Sequence, residues 1–431
     1  MLSHIVALSP SLLFPLLIFT APATADYPTT GTTVLIPWAE REDHPGTEFT
    51  FDITPHARIQ FSRPGWNPGA NWSFSVDTGT CGIVAYRDRV DLQPAEQIDP
   101  VPSDPSVITN QGQQWLSSSQ ILYIGYWVQR TVTFMSTSPQ IVTRQPVFAI
   151  TEKFTGCKYW EPSYGNTCPG ATQVTDKTTF KGVSNLGIGY GRTYDGQPQG
   201  TPDKNPLLNI VSIGGVALNS LTTFHPGWRI DDEGIQVGLT QDIWDTPGRT
   251  IYSAALTTPG GIARPSPPES QGRNPQFASD EVKGCVKFPF NTETPPNTCT
   301  PVALLLDTGI GWSSIRVYKE LAEAVRIDST GQRPKPEQII DIQAGDPPIA
   351  ESIQLYKFTS TGSVPLDCYW TPDYTRIHFD NEHGRRKFVN TGRRAFRVWA
   401  FAYDPWNGRV GFQKRPVAET CSTPLLTYSE P

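Results

Sequence analysis

Two copies of the tripeptide Asp-Thr-Gly follow apolar runs in this chain. Residues 72–77 alternate apolar and polar side chains and end in Asp77. Residues 302–306 are apolar throughout and lead into Asp307. The alternation predicts a half-buried strand, and the continuous run predicts a strand buried on both faces. Each strand would therefore deliver a carboxylate into a tight turn that glycine permits.

A pair of such carboxylates could hydrolyse an amide without a metal ion or a covalent intermediate. Two carboxylates about 3 Å apart cannot both ionise, so they share a proton and titrate as a coupled pair. The ionised member can take a proton from water while the protonated member donates to the substrate carbonyl. One Asp-Thr-Gly means little, because Asp and Gly are common in turns. Two copies about half the chain apart, each after a strand, favour a catalytic pair, Asp77 and Asp307.

The composition predicts a mainly β protein of two domains. Its 41 prolines and 36 glycines separate short runs rich in β-branched and aromatic residues, such as 121–134, 145–151 and 397–403. The one helix that the pattern predicts begins after Ser313 and Ser314, which could cap it. A chain of 431 residues is long enough for two domains with separate cores.

The start of the chain is typical of a secreted protein. Residues 1–25 contain no Asp, Glu, Lys or Arg, have an apolar stretch at 12–19, and end in Ala-Thr-Ala. We therefore expect a signal peptide over residues 1–25 and a secreted, extracellular protein. No later segment approaches the roughly 18 apolar residues of a membrane helix, so no membrane anchor is expected.

All seven cysteines lie after this leader, as expected for an oxidising compartment. Two pairs of cysteines each bracket a short loop and are expected to form local disulfides, and one further pair is the best remaining match. Sequence alone leaves the connectivity open, with Cys81 as the spare. The expected pairs are Cys157 with Cys168, Cys285 with Cys299, and Cys368 with Cys421.

Several classes of function are disfavoured. A net charge of −6 with scattered basic residues argues against nucleic-acid binding. No CxxC or HxxxH spacing occurs, so no metal site is expected. The glycines at 187, 189 and 191 lack the acidic residue and βαβ context of a nucleotide-binding loop. No cofactor is expected.

The two tripeptides and other segments together resemble the pepsin-like aspartic proteases, and the resemblance covers most of the chain. Ile121-Leu122-Tyr123-Ile124-Gly125 looks like the flap hairpin of that family, with Tyr123 in the place of the flap tyrosine. The other similar segments are residues 180–190, in the loop that supports the first aspartate, residues 205–208 with 231–238, at the end of the first domain, and residues 401–412, in the closing hairpin.

The resemblance implies a bilobal fold with an active-site cleft between two β domains. These would be residues 26–240, with Asp77 and the flap, and residues 241–431, with Asp307. The function implied is that of a monomeric aspartic endopeptidase, whose two carboxylates face each other at hydrogen-bonding distance, hold the catalytic water and cut peptide or protein substrates.

The resemblance also assigns supporting roles. Thr78 and Thr308 would cross-brace the two turns, while Gly79 and Gly309 would let backbone N–H groups approach the carboxylates. Thr80 would place a hydroxyl at the outer oxygen of the first carboxylate. Tyr123 and Gly125 would belong to the flap that closes over substrate.

Several positions depart from the family. Ile310 stands where Ser or Thr usually follows the second Asp-Thr-Gly. Apolar residues are expected at Asn185 and at the two positions before Gly392, which are Asn390 and Thr391. Unfamiliar groups also stand beside the aspartates, at Cys81 and at residues 310–312. Without a hydroxyl donor, the pKa of Asp307 should rise, so Ile310→Thr should move the acidic limb of a pH–rate profile downward. Alternatively, Ile310 fills an apolar pocket.

These departures leave two other functions open. One is a binding protein that kept the fold and lost turnover. The other is a glycosidase with a carboxylate pair, although that chemistry does not need matching Asp-Thr-Gly turns. Asn71, in the only Asn-x-Ser/Thr sequence, is expected to carry a glycan if it is exposed.

Overall fold

A computed structural model describes residues 27–63, 65–66, 71–97, 111–189, 200–244, 251–255, 282–288, 299–325, 333–335, 338–345, 353–359, 375–378, 387–405 and 409–415. The predicted signal peptide and the predicted Cys368–Cys421 pair lie outside these residues. So do parts of the family-like segments, at residue 190 and at residues 406–408.

Strands dominate the described residues, so the prediction of a mainly β fold is confirmed. In chain order they are β1 (Val34–Pro37), β2 (His56–Ser62), β3 (Trp72–Asp77), β4 (Cys81–Tyr86), β5 (Gln111–Leu116), β6 (Ile121–Phe134), β7 (Ile141–Thr155), β8 (Thr172–Gln173), β9 (Ser184–Ile188), β10 (Ile210–Ile213), β11 (Val216–Ala217), β12 (Trp228–Ile230), β13 (Gly234–Val237), β14 (Ile251–Ala255), β15 (Val282–Lys287), β16 (Thr300–Leu305), β17 (Ser313–Arg316), β18 (Ile339–Ala344), β19 (Ile353–Thr359), β20 (Thr375–His378), β21 (Phe388–Asn390), β22 (Trp399–Asp404) and β23 (Arg409–Lys414).

The strands form three sheets. A ten-stranded sheet has the order β11-β10-β7-β4-β9-β3-β2-β6-β5, with β8 beside β7. Its long strands β6 and β7 also pair with each other, which closes part of the sheet into a barrel. A seven-stranded sheet has the order β19-β18-β15-β16-β21-β17-β20. A six-stranded sheet, β1-β13-β12-β22-β23-β14, combines strands from both ends of the chain.

The strands that lead into the two aspartates have the burial that their sequences predict. In β3, Phe74 and Val76 are fully buried and the intervening serines are not. The end of β16 and the residue after it are buried on both faces, since Leu304, Leu305 and Leu306 are all at most 5% exposed, whereas Ala303 is half-buried.

The same three-strand arrangement surrounds each aspartate. Strand β3 pairs in parallel with β9, and β9 pairs antiparallel with β4, the strand that follows Asp77. Strand β16 pairs in parallel with β21, and β21 pairs antiparallel with β17, the strand that follows Asp307. The two aspartates therefore occupy equivalent places in two different sheets.

The predicted helix after Ser313 begins too early and is wrong at its start. Residues 313–316 form β17, which pairs with both β20 and β21, and the helix covers only Lys319–Val325. The hydroxyl of Ser313 donates to the backbone oxygen of Asn390, 2.9 Å away, and so ties two strands together instead of capping a helix. The other α-helices are Ala39–Asp43 and Gln241–Trp244.

Short 3₁₀ helices join several strands. They are Arg87–Val90, Pro94–Gln97, Pro162–Tyr164, Lys177–Phe180, Pro202–Lys204, Pro206–Leu208, Leu218–Ser220 and Arg393–Arg397.

Two of the predicted disulfides are confirmed, Cys157–Cys168 and Cys285–Cys299. Cys81 is buried, and its Sγ lies 3.4 Å from the carbonyl oxygen of Thr201. Within the described ranges, no helix is long and apolar enough to cross a membrane.

Candidate active site

The two Asp-Thr-Gly turns are joined by hydrogen bonds between their threonines. The backbone N–H of Thr78 donates to Oγ1 of Thr308 at 3.1 Å, and the N–H of Thr308 donates to Oγ1 of Thr78 at 3.0 Å. Each hydroxyl then donates to a carbonyl of the opposite strand, Thr78 to Leu306 at 2.5 Å and Thr308 to Val76 at 2.7 Å. Both threonines are almost fully buried, so these bonds form in a region that water does not reach.

The glycines allow each turn to approach the opposite carboxylate. The N–H of Gly79 donates to Oδ1 of Asp77 at 2.6 Å, and the N–H of Gly309 donates to Oδ1 of Asp307 at 2.7 Å. A Cβ on Gly79 would lie 2.5 Å from Oδ2 of Asp307, and one on Gly309 would lie 2.6 Å from Cγ of Asp77. Because real Cβ atoms do not come so close, any other residue would separate the turns.

The second oxygen of each carboxylate contacts an asparagine. Nδ2 of Asn185 donates to Oδ2 of Asp77 at 3.2 Å and to Oγ1 of Thr80 at 2.8 Å. Nδ2 of Asn390 donates to Oδ2 of Asp307 at 2.5 Å. Oδ2 of Asp307 therefore has a donor although Ile310 brings no hydroxyl, because the amide of Asn390 donates to it.

Both carboxylates line a cleft of about 860 Å³. Its wall includes residues that the sequence did not single out, among them Gln114 from β5, and Lys158, Arg316 and Arg376, which add positive charge to the cleft. The position of a residue in a strand does not show whether its side chain faces the cleft, because that depends on how the sheets pack.

The hairpin of β5 and β6 forms part of the wall of this cleft. Its tip, residues 117–120, lines the cleft, and so does Tyr123 of β6. Tyr123 is 7% exposed, and burial raises its pKa to about 12, so the phenol stays protonated from acidic to neutral pH. The predicted flap residue Gly125 is not part of the cleft wall. It lies where β6 and β7 touch, and a Cβ there would be 2.1 Å from the carbonyl oxygen of Ala149.

The predicted glycosylation residue lies at the other end of β3. Asn71 immediately precedes that strand and is exposed, which meets the condition for glycan attachment.

No protein-family model matches the chain, and none of the curated proteins matches it. The chemistry of the site follows from its own residues. Two carboxylates line one cleft, and each accepts a backbone N–H at one oxygen and a side-chain amide at the other. Such a pair can share a proton and polarise a water molecule. In the part of the chain that is described, no cluster of three or more His, Cys, Asp and Glu residues could hold a metal ion.

Proposed function

We propose that the chain is a secreted aspartic endopeptidase with the bilobal fold of the pepsin-like proteases. The observation that carries the proposal is the cross-bracing of two equivalent Asp-Thr-Gly turns by Thr78 and Thr308. Two unrelated turns would have no reason to exchange four buried hydrogen bonds across different sheets. The repeated three-strand arrangement around Asp77 and Asp307 supports the same reading, with domains of residues 26–240 and 241–431.

In this mechanism, the two carboxylates share one proton and bind a water molecule between them. The ionised carboxylate removes a proton from this water as it attacks the scissile carbonyl, and the protonated carboxylate donates to the carbonyl oxygen. The carboxyl that took the proton from water then passes it to the leaving nitrogen as the carbon–nitrogen bond breaks. The other carboxylate takes back a proton from the diol, which leaves a carboxylic acid and restores the shared proton. The N–H groups of Gly79 and Gly309 fix the carboxylates throughout, so little reorganisation is needed during the reaction.

The cleft favours a peptide substrate in an extended conformation. Both carboxylates line the cleft together with residues of the β5–β6 hairpin, and its walls also carry polar side chains such as Gln114 and Ser184. Closing the hairpin tip over the peptide would exclude water from the reacting carbonyl.

The proposal is tested with the purified secreted protein and a denatured protein substrate, from acidic to neutral pH. We expect hydrolysis that a statine-containing peptide inhibitor blocks, because the hydroxyl of statine imitates the tetrahedral intermediate between the carboxylates. Hydrolysis that is insensitive to this inhibitor would contradict the proposal. Inhibitor binding without hydrolysis at any pH would instead assign the chain as a binding protein.

A further inference from the structure

Two asparagines occupy equivalent positions beside the two aspartates. In the parallel pairing of β3 with β9, Asn185 lies opposite Ser75, two residues before Asp77. In the parallel pairing of β16 with β21, Asn390 lies opposite Leu305, two residues before Asp307. The same residue type therefore recurs at the same place in both three-strand arrangements.

The direction of each amide follows from its neighbours. Oδ1 of Asn390 accepts from the backbone N–H of Gly392 at 2.9 Å, and a backbone N–H can only donate. The NH₂ group of Asn390 therefore faces Asp307. For Asn185 the direction follows from Asp77 itself, because an ionised carboxylate can only accept, which places the NH₂ group toward Asp77 and Thr80.

A donor at this oxygen acts on the ionised carboxylate more strongly than on the protonated one. A hydrogen bond to a charged acceptor is stronger than one to a neutral acceptor, so the amide favours the state that has lost its proton. The two sides are unequal, since Asn390 directs its NH₂ group to Asp307, whereas Asn185 divides its NH₂ group between Asp77 and Thr80.

We infer that Asn185 and Asn390 are paired positioning residues, which fix the outer oxygens of the two catalytic carboxylates and set the acidic limit of activity. The inference rests on the proposed function. Beside Asp307, the amide of Asn390 performs the task that a hydroxyl beyond the Asp-Thr-Gly turn would otherwise perform, which is why the site can accept Ile310. Beside Asp77, Asn185 acts together with Thr80, to which it also donates.

The first test removes each donor with Asn185→Leu, Asn390→Leu and the double variant. Loss of a hydrogen bond that favours the ionised form should move the acidic limb of the kcat/KM profile to higher pH, by about one to two units for Asn390→Leu. The shift for Asn185→Leu should be smaller, because its bond is longer and shared. Thr391→Val is the matched control, since this buried hydroxyl donates to the backbone of Gly392 and not to a carboxylate.

The second test is a rescue. Ile310→Thr should have little effect in the natural protein, where Asn390 already occupies Oδ2 of Asp307. In the Asn390→Leu background, the same hydroxyl should return the acidic limb toward its original pH. Asn390→Asp keeps the shape of the side chain but replaces the donor with an ionisable acceptor, so it should move the limb at least as far as Asn390→Leu.

An NMR titration tests the inference without measuring hydrolysis, so its outcome does not depend on the proposed function. Protein labelled with ¹³C at aspartate carboxyls is titrated by NMR, and the resonances of Asp77 and Asp307 are assigned by their Asn variants. Titration midpoints that rise in the Leu variants support the inference, even if the natural protein hydrolyses nothing and the proposed function fails. Folded Leu or Asp variants whose midpoints and acidic limb stay fixed would overturn it, as would a change in KM alone.

Discussion

At the scale of single residues, the site depends on N–H donors on both oxygens of each carboxylate. Backbone N–H groups of Gly79 and Gly309 hold one oxygen, and side-chain amides hold the other. Neither aspartate can rotate without breaking two bonds, so both carboxylates are held in fixed orientations, as the proposed mechanism requires.

Replacing either aspartate with asparagine should abolish hydrolysis and leave the protein folded. One remaining carboxylate cannot act as both base and acid, so kcat/KM should fall by about 10²- to 10⁴-fold or more. The measurement is hydrolysis of a fluorogenic peptide, with melting temperature as the check on folding. Asp88→Asn is the control, because its side chain is 70% exposed on the surface. Unchanged turnover in Asp77→Asn or Asp307→Asn would refute the assignment.

Asn71 should carry a glycan when the protein is made in a glycosylating host. The residue is exposed and precedes β3, so an attached sugar can extend into solvent without disturbing the strand. Intact mass should fall after treatment with a glycan-removing enzyme, and the variant Asn71→Gln should show no such change. A mass unaffected by the enzyme in the natural protein would contradict the prediction.

The sequence predicts a site residue best when the strand and the turn that position the residue are its neighbours in the chain. Asp77 and Asp307 stand out because their strands and turns are contiguous in the chain. Asn185 and Asn390 were visible only as departures from a family pattern, since their bonds to the aspartates join residues 108 and 83 positions away. No local rule connects such distant partners.

At the scale of elements, the prediction succeeded for long strands and failed where distant pairing decides the structure. The run of residues 121–134 coincides with β6, because its apolar pattern extends over 14 residues. The helix predicted after Ser313 was shortened, because pairing with β20 and β21 keeps residues 313–316 extended. Tertiary pairing overrides helical periodicity in so short a segment.

The contact between β6 and β7 makes a further prediction. Gly125→Ala would place a Cβ 2.1 Å from the carbonyl oxygen of Ala149, so the strands must move apart. We expect a loss of about 1–3 kcal/mol or more in the free energy of unfolding, measured with urea. Gly182→Ala is the matched control, since no atom lies within 4 Å of the added Cβ, and its effect should stay within about 0.5 kcal/mol. Equal losses in both variants would contradict this account of Gly125.

At the scale of the whole molecule, the cross-bracing threonines join the ten-stranded and seven-stranded sheets. Thr78→Val removes a hydroxyl donor and leaves the buried N–H of Thr308 without its acceptor. In the same way, Thr308→Val leaves the buried N–H of Thr78 without its acceptor. Each should cost about 2–4 kcal/mol of unfolding free energy. Because the two residues share these bonds, the double variant should lose less than the sum of the single losses, by about 0.5–3 kcal/mol.

The control for this cycle is another buried threonine. Oγ1 of Thr143 has no hydrogen-bond partner within the described ranges, so Thr143→Val should be neutral or stabilising. Additive losses in the Thr78 and Thr308 cycle, or an equal loss in Thr143→Val, would show that the cross-brace does not join the sheets as described.

The six-stranded sheet constrains how the protein can be made. Strands β12 and β13 leave the ribosome long before β22 and β23, which complete their sheet. Until residues 399–414 are synthesised, β12 has an open hydrogen-bonding edge that another nascent chain could join. Folding can therefore finish only after nearly the whole chain has been translated, and a protein stopped before β22 would be a target for chaperones and for aggregation.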